Sequence, residues 1–352
     1  MLVALSADAD ADWASDPALV AELETGHVPV RWIGDTFHRD PLALADAARA
    51  LKTLTGTWTD LTVAHAHTAM TGAVACWAGA RRIAVTCHGW NLRRPAEHDL
   101  QDALALTLVD AVISPSSDWA KRLETLPGID HVTVIPNGFD LSRYPALPRH
   151  VERGPRPPRI VCVGELTHRK GQDVLVRAMP LLWRTCSGAT LDVVGDGDMA
   201  ADLQRLAHGV DAGGDRIRFS GHLPRPYASL ADADVFCLPS RSDNQPVAIV
   251  EALLAGLPVV STRVGGIPEM IDGAQAGEIV PAESPEALAE ALERVLARSD
   301  REELSQRTRD FARHQYGVAV MADRIEALYR SSERGERAAT AGAAVADPLQ
   351  RS

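Results

Sequence analysis

Two acidic residues, Asp243 and Glu251, flank the start of a predicted helix. The apolar run from Val235 to Leu238 before them indicates a buried strand, and the polar residues from Ser240 to Gln245 indicate a loop. A helix N-terminus presents free N–H groups and partial positive charge, so it can bind a phosphate. The two carboxylates can then accept hydrogen bonds from hydroxyl groups on either side of that phosphate. The residues alone also permit Asp243 as a turn former and Glu251 as a solvated helix residue.

The elements around these acids follow the order strand, loop, helix, strand. Pro246 suits the first turn of a helix, where its missing N–H costs nothing. Gly256 marks the end of that helix, and Pro258 cannot continue it. A ligand that suits this arrangement carries hydroxyl groups at both ends and a diphosphate between them, as a sugar nucleotide does.

Histidines of the first half are a second group of residues that could do chemistry. His88 follows a predicted strand from Ile83 to Cys87, and open parallel sheets bind ligands outside the carboxyl ends of their strands. His65 and His67 alternate along another predicted strand and therefore point to one face. With His88 they could suggest a metal site, but no acid or cysteine has the matching ligand spacing. The alternative that His88 only caps its strand stays open.

Composition and charge narrow the class of protein. A chain of 352 residues, 46% hydrophobic and 24% charged, is typical of a soluble protein of two domains. The net charge of -11 argues against nucleic-acid binding and disfavours strong attraction to anionic lipid. No apolar run reaches the roughly 18–20 residues of a membrane span, and no signal peptide opens the chain. The five scattered cysteines predict reduced thiols, so we expect a cytoplasmic protein, with peripheral membrane contact left open.

The order of the predicted elements indicates two domains. Strands alternate with helices throughout, so both halves are expected to be doubly wound parallel sheets. The predicted boundaries are 1–143 for the first domain, 144–159 for a proline-rich linker and 160–318 for the second domain. A helix over 319–332 and a disordered tail over 333–352 are predicted to follow, the tail because its Ala, Arg and Gly show little periodicity.

The central stretch resembles the signature of a known family. Asp243, followed at Glu251 by Glu-Ala-Leu-Leu-Ala-Gly-Leu-Pro-Val-Val, resembles the donor site of the retaining GT-B glycosyltransferases of family 4. The stretch Thr86-Cys-His-Gly89 resembles a second motif of that family. The resemblance covers residues 26–330 and is strong from Val161 to Ile271.

This resemblance implies a fold, a reaction and partners. The fold would be α/β, with two doubly wound Rossmann-like domains facing a cleft. A hexosyl group would move from a nucleotide-diphosphate sugar to an acceptor hydroxyl with retention of configuration, and the family's commonest donors are UDP-linked. No cofactor and no metal would be needed, because electrostatic stabilisation of the leaving diphosphate supplies the chemistry. The acceptor stays unidentified, and polysaccharide, glycolipid and natural-product glycoside biosynthesis are all compatible.

The resemblance also assigns residues to the donor. His88, Asp243 and Lys170 would be catalytic, with His88 and Asp243 at the transferred sugar and Lys170 at the diphosphate. Glu251 would hold the ribose hydroxyls. Further donor contacts would come from residues in loops after predicted strands, some of them through main-chain N–H groups: Gly164, Arg169, Gly195, His222, Leu223, Asn244 and Gln245.

The chain departs from the family pattern at three places. Asp243 is shorter by one methylene than the usual Glu, and the first loop, Ser6 to Trp13, has no glycine where the family has a glycine-rich loop. Glu165 replaces an Arg that contacts the diphosphate, and a carboxylate there would repel phosphate. We therefore predict that Lys170 carries most of the phosphate binding and that Arg169 partly replaces the missing Arg. Glu165 then either turns away or pairs with a neighbouring cation, for which Arg169 is the nearest candidate.

Three other classes of protein compete with this interpretation. A nucleotide-dependent dehydrogenase needs Gly-x-Gly-x-x-Gly after a first strand and an acid about 20 residues later, and neither half has this pattern. A glycoside hydrolase needs two carboxylates roughly 5–10 Å apart across a glycosidic bond. A catalytically weak or inert relative that binds a nucleotide sugar or a partner protein stays open because of the altered first loop.

Overall fold

The computed structural model describes nine stretches of the chain: 3–6, 21, 25–27, 30–34, 39–56, 63–89, 96–130, 132–145 and 156–343. The chain divides into two compact units. The first unit is formed by 1–114, 120–134 and 326–352, and the second by 115–119 and 135–325. The first loop after Ser6, the middle of the predicted linker (146–155) and the end of the predicted tail (344–352) lie outside the described residues.

The first unit contains parallel β-structure covered by helices. Strand β1 (Val3–Ser6) pairs with β2 (Val30–Gly34). A separate sheet has the order β3-β4-β5-β6 and is formed by β3 (Ala64–Ala66), β4 (Ile83–Thr86), β5 (Ala111–Ser114) and β6 (Val132–Val134). The helices along this stretch are α1 (Pro41–Thr55), α2 (Ala69–Trp77), α3 (Ala96–Leu106) and α4 (Ser117–Leu123), whose first turn is grouped with the second unit.

Helix α1 illustrates how local sequence determines these elements. The Asp40 carboxylate accepts hydrogen bonds from the backbone N–H groups of Leu42 (3.0 Å) and Ala43 (2.8 Å), and Pro41 occupies the first turn. Apolar residues then recur at helical spacing, so that one face packs inward: Leu44, Ala47, Ala48 and Leu51 are buried.

The second unit is built on a six-stranded parallel sheet with the order β12-β11-β10-β7-β8-β9. Its strands are β7 (Arg159–Val163), β8 (Thr190–Val194), β9 (Ile217–Gly221), β10 (Val235–Leu238), β11 (Val259–Thr262) and β12 (Gly277–Val280). Its helices are α5 (Gln172–Leu182), α6 (Ala200–Val210), α7 (Val247–Ala255), α8 (Ile267–Ala274), α9 (Pro285–Leu296), α10 (Arg301–Tyr316) and the start of α11 (Val318–Ala343). Short 3₁₀ turns lie at Leu141–Arg143, His168–Lys170 and Pro226–Asp232.

Strand β10 lies in the interior of this sheet. All four of its residues are fully buried, as expected for a continuous apolar run in a parallel sheet with both faces covered. The predicted strand from Val235 to Leu238 is therefore confirmed. It leads directly into the loop that carries Asp243.

The strand order of the second unit defines a place where a ligand can bind. The chain runs from β7 outward through β8 and β9, and then returns to β10 on the other side of β7. The connections after β7 and β10 therefore leave the sheet in opposite directions. Open α/β sheets bind ligands outside the carboxyl ends of the strands at such a switch point. The residues that follow β7, β8, β9 and β10 all lie at this edge.

The C-terminal helix differs from the predicted end of the chain. Helix α11 runs to Ala343, whereas the sequence predicted a helix over 319–332 and a disordered tail from 333. Residues 333–343 are rich in Ala, Arg and Glu, which have high helix propensity, so a helix that has already begun at Val318 continues through them. From Glu326 on, this helix is grouped with the first unit. No helix in the described part of the chain is long and apolar enough to cross a membrane.

Candidate functional site

The Asp243 carboxylate is the centre of a charged cluster at the switch point of the second unit. Its Oδ2 accepts hydrogen bonds from Lys170 Nζ at 2.6 Å and from Ser240 Oγ at 3.1 Å. Its Oδ1 accepts one from the Arg169 guanidinium at 3.2 Å. The Asp243 and Lys170 side chains are only 10% and 12% exposed, so this ion pair is largely shielded from water. The structure thus joins three residues that the sequence assigned to one ligand.

Arg241 holds the turn that presents these two cations. The 3₁₀ turn His168–Lys170 follows β7, and the Arg241 guanidinium donates to the His168 carbonyl at 2.7 Å. The Arg241 backbone N–H donates to the Arg169 carbonyl at 2.8 Å. Hydrogen bonds with Asp173 and then Glu283 raise the pKa of Arg241. Sequence reasoning missed Arg241, although its position next to Ser240 in the loop after β10 was a usable signal.

Glycines allow neighbouring backbone to lie directly against the loop. A Cβ on Gly171, which has φ +69°, would lie 2.1 Å from the Pro239 carbonyl oxygen. A Cβ on Gly265, with φ +52°, would lie 1.7 Å from the Asp243 carbonyl oxygen. Both positions combine a left-handed backbone with a close approach that only glycine permits. The conformation of the Asp243 loop therefore depends on residues far away in sequence.

Asn244 and Gln245 anchor the same loop. The Asn244 carbonyl accepts from the Gly266 N–H at 2.9 Å, and its side chain accepts from the Ser116 hydroxyl. The Gln245 side-chain oxygen accepts from the Asn137 N–H at 2.7 Å. These side chains are used for anchoring, and the predicted donor contacts of the Asn244 and Gln245 main-chain N–H groups stay predictions.

Glu251 lies within helix α7 and is 8% exposed. Burial raises the pKa of its carboxyl group to about 7, while a hydrogen bond from the Tyr144 hydroxyl acts in the opposite direction. The Tyr144 ring packs edge-to-face against Tyr227, with 5.1 Å between the ring centroids. The carboxylate is therefore a buried acceptor beside an aromatic cluster, which rules out the solvated helix residue that the sequence alone permitted.

The remaining predicted residues lie at the carboxyl ends of β7, β8 and β9. The Gly195 N–H donates to the Gly221 carbonyl at 2.8 Å, and a Cβ on Gly195 would lie 2.0 Å from the Gly164 carbonyl oxygen. His222 is exposed, and Leu223 is partly buried against the core. The structure brings these positions to the same edge of the sheet as the Asp243 cluster, with β7 and β8 between β10 and β9.

Glu165 does not form an ion pair with Arg169 in the structure. It is exposed, and among the residues that the structure describes no cation lies within ion-pair distance of its carboxylate. Arg169 pairs with Asp243 instead and also donates to the Ser242 carbonyl at 3.2 Å. The predicted pairing of Glu165 with Arg169 is therefore not formed, and the orientation of Glu165 relative to a bound donor stays a prediction.

His88 lies in the first unit, in a group of three histidines. His67 Nδ1 and His88 Nε2 are 3.0 Å apart, and the His65 and His67 rings are stacked with 5.1 Å between centroids. The pKa of His65 and that of His88 are both lowered to about 4, mainly because packing removes water from the rings. Among the described residues no group of three His, Cys, Asp or Glu side chains is arranged to hold a metal ion.

Comparison with known proteins identifies the family to which this chain belongs. Residues 7–143 match the model "Glycosyltransferase Family 4", and residues 157–298 match the model "Glycosyl transferases group 1". The two matches fall on the two halves of the chain. The protein therefore belongs to the family 4 glycosyltransferases.

The relatives of this chain are named for different substrates. The chain is 32% identical over 249 residues to a GDP-mannose-dependent alpha-(1-6)-phosphatidylinositol monomannoside mannosyltransferase of Mycobacterium tuberculosis, covering 64% of this chain and 63% of that protein. It is 31% identical over 239 residues to the glycogen synthase of the same organism, covering 65% of this chain and 56% of that protein. The matches therefore span somewhat under two thirds of the length of these curated relatives.

A solved structure supports the fold along nearly the whole chain. HepE from Anabaena, in complex with UDP, superposes with a TM-score of 0.73 at 19% identity, covering 94% of this chain and 92% of that one. The predicted α/β fold of the GT-B class is confirmed. At this level of identity the match concerns the fold alone.

Proposed function

We propose that the protein is a glycosyltransferase that moves a sugar from a nucleotide-diphosphate sugar to an acceptor hydroxyl with retention of configuration. The observation that carries this proposal is the convergence of Lys170 and Arg169 on Asp243, at the switch point of the six-stranded sheet in the second unit. Two cations held beside a helix N-terminus suit a diphosphate. A carboxylate between them suits a sugar hydroxyl next to that diphosphate.

In this proposal each residue has a separate role. Lys170 and Arg169 bind the diphosphate and stabilise the charge that develops as it leaves, a role that needs no metal or cofactor. Asp243 orients both cations and accepts a hydroxyl of the transferred sugar. Glu251 accepts the ribose hydroxyls, and His88 contributes a neutral imidazole to the sugar. Gly164, Gly195, His222 and Leu223 form the surface for the nucleobase and diphosphate.

The donor and the pathway are proposed only as chemical classes. The mannosyltransferase relative is named for GDP-mannose, whereas the HepE structure holds UDP. A UDP-linked donor, the commonest in the family, is therefore our prediction, to be tested against GDP-linked donors. Synthesis of a polysaccharide, glycolipid or natural-product glycoside in the cytoplasm is the proposed setting.

Binding of nucleotide sugars tests the proposal directly. UDP-glucose, GDP-mannose and ADP-glucose would be screened by thermal shift, because a ligand at 100 times its Kd stabilises by about 2.7 kcal/mol. Donor hydrolysis and transfer would then be followed with and without excess EDTA, and we expect activity to survive EDTA.

Lys170→Ala should raise the donor KM at least about tenfold, which corresponds to the loss of one charge-assisted hydrogen bond. Arg169→Ala should have a smaller effect of the same sign.

Arg177→Ala is the matched control for these variants. Arg177 pairs with Asp173 on helix α5, and its side chain is 51% exposed, so its loss should leave donor affinity unchanged. Failure of every donor to bind the wild-type protein would overturn the proposal. Unchanged donor affinity in Lys170→Ala would overturn the phosphate assignment.

A second candidate function rests on Glu165. Loss of the family's Arg at this position removes one cation from the diphosphate, which favours an inert or weakly active relative that binds a nucleotide sugar. Such a protein would bind a donor in the thermal-shift screen but release no free nucleotide diphosphate. The hydrolysis assay therefore separates the two functions.

A further inference from the structure

The imidazoles of His65, His67 and His88 form a stack, called here the histidine stack, at the carboxyl ends of β3 and β4. The rings of His65 and His67 are inclined by 6°, and those of His67 and His88 by 12° with 5.3 Å between centroids. His67 and His88 are exposed, so a ligand can reach them. The stack is therefore an ordered surface that ends in His88.

The inner end of the histidine stack is anchored on both sides. His65 Nε2 lies 2.7 Å from the Thr86 hydroxyl, and His65 Nδ1 is hydrogen-bonded to the Tyr329 hydroxyl of helix α11. Arg82 in turn donates to the Tyr329 backbone carbonyl. Because both ring nitrogens of His65 are engaged, its ring provides a fixed base for His67.

The contact between His67 and His88 couples their tautomers. A hydrogen bond between two neutral imidazoles needs one N–H and one lone pair. If His67 Nδ1 carries the proton, His88 Nε2 accepts and His88 must carry its own proton on Nδ1. If His88 Nε2 carries the proton, His88 Nδ1 is an acceptor. The tautomer of His67 is thereby linked to whether the other nitrogen of His88 donates or accepts.

The charge state of the histidine stack points to an uncharged partner group. Among the described residues, the Thr86 and Tyr329 hydroxyls contact the stack at His65, and the Arg82 guanidinium donates to the Tyr329 backbone carbonyl. Loss of water lowers the pKa of His88, and the neighbouring His67 lowers it further. The rings are therefore neutral near pH 7, and a neutral imidazole suits a sugar hydroxyl better than a phosphate.

We propose that His67 is a positioning residue, which holds His88 in one tautomer and one orientation for a hydrogen bond with a hydroxyl of the transferred sugar. This inference rests on the proposed function for the identity of the ligand. The tautomer control itself is supported by the 3.0 Å contact between the two rings and does not depend on the identity of the ligand.

Nuclear magnetic resonance of the full chain tests the tautomer control without any substrate. In protein with ¹⁵N-labelled histidine, His88 should show the shifts of a single neutral tautomer at pH 7.5. His67→Leu should change these shifts, and His67→Asn, whose amide can replace Nδ1, should largely preserve them. His208→Leu, an exposed histidine of helix α6, is the matched control and should leave them unchanged.

Kinetics tests the role in transfer. Removing the like-charged neighbour in His67→Leu should raise the pKa of His88, so the acid limb of kcat should move to higher pH. We expect kcat at neutral pH to fall about tenfold, with the donor KM unchanged and most of the loss restored in His67→Asn. The discriminating readout is the recovery of kcat in His67→Asn, because loss of the His67 charge moves the acid limb whether or not His67 positions His88.

The outcomes separate this inference from the proposed function. His88 shifts that stay unchanged in both His67 variants would overturn the inference, even if transfer is observed. A loss of kcat that His67→Asn does not restore would overturn it as well. Absence of transfer in the wild-type protein with every donor would contradict the proposed function, while the resonance experiment would still decide the tautomer control.

Discussion

At the scale of single residues, Glu251 shows how burial changes the chemistry of a common side chain. Burial raises the pKa of its carboxyl from 4.5 to about 7. Between these pH values the folded protein holds a proton that the unfolded chain has lost. Stability must therefore fall as pH rises through this window, because the unfolded state binds fewer protons.

Replacing Glu251 with Gln should remove this pH dependence. The pKa difference predicts that the wild-type protein loses roughly 3 kcal/mol relative to Glu251→Gln between pH 4.5 and 7.5. Urea unfolding of both proteins across this range measures the difference. Glu290→Gln, whose carboxylate is 71% exposed on helix α9, is the control and should follow the wild type. Parallel curves for wild type and Glu251→Gln would contradict the assigned burial effect.

Burial also explains why Asp243 pairs with Lys170 and Arg169. The sequence placed Lys170 and Arg169 at a diphosphate and Asp243 at a sugar, and the structure joins all three in one hydrogen-bonded cluster. A largely buried carboxylate needs such partners, since an unpaired charge would be costly. The same requirement explains why Arg169 pairs with Asp243 and not with the exposed Glu165.

At the scale of elements, the loop after β10 is shaped by the connections that follow β7 and β11. Gly171 and Gly265 belong to those connections, and each approaches the loop backbone more closely than a side chain would allow. The strand order brings the three connections together. Helix α7 then begins at the end of this loop and carries Glu251.

Gly265→Ala should disrupt the loop and not only the local backbone. The new Cβ would lie 1.7 Å from the Asp243 carbonyl oxygen, so the loop has to move. We expect donor affinity to fall at least about tenfold and Tm to fall by several degrees. Both are measurable by calorimetry and thermal denaturation.

Gly209→Ala provides the control for this variant. Gly209 lies in helix α6, where an added Cβ meets nothing within 4 Å. Alanine should therefore stabilise this helix by up to about 1 kcal/mol without changing donor affinity. A Gly265→Ala protein with wild-type affinity would show that the loop tolerates displacement.

At the scale of the whole molecule, the end of the chain contributes to the first unit. Residues from Glu326 on are grouped with that unit, and Tyr329 contacts the histidine stack through His65. The inner anchor of the stack thus comes from a residue far away in sequence.

Truncation tests this contribution. A chain that ends at Ser331 keeps Tyr329 and its contacts, whereas a chain that ends at Ile325 loses them. We expect the shorter chain to unfold at a Tm several degrees lower and the longer one to stay close to the full-length protein. Thermal denaturation followed by circular dichroism measures both. Equal Tm values for the two truncated chains would show that Tyr329 adds nothing to the first unit.

Several features were predictable because they depend on local pattern. The buried strand β10 has a continuous apolar run, and the helix after it has a proline at its start and a glycine at its end. The alternation of strands and helices indicated parallel α/β domains for the same reason. The candidate site was predictable in part, since residues that follow parallel strands meet at one edge of a sheet.

Other features were not predictable because they depend on contacts between distant residues. The role of Arg241 requires the turn at His168–Lys170 and the loop after β10 to be adjacent. The continuation of α11 through residues 333–343 was not predicted from their weak periodicity, although their helix propensity allows it.

The sequence by itself determined the α/β class and which residues follow the strands at the switch point, and it indicated the family by resemblance. These follow from residue types and spacing, which act over a few positions of the chain. Only the tertiary structure decided which groups are paired: Asp243 with both cations, Glu251 buried beside Tyr144, and His67 against His88. Burial and pairing arise when strand order brings distant segments together, so no local pattern could contain them.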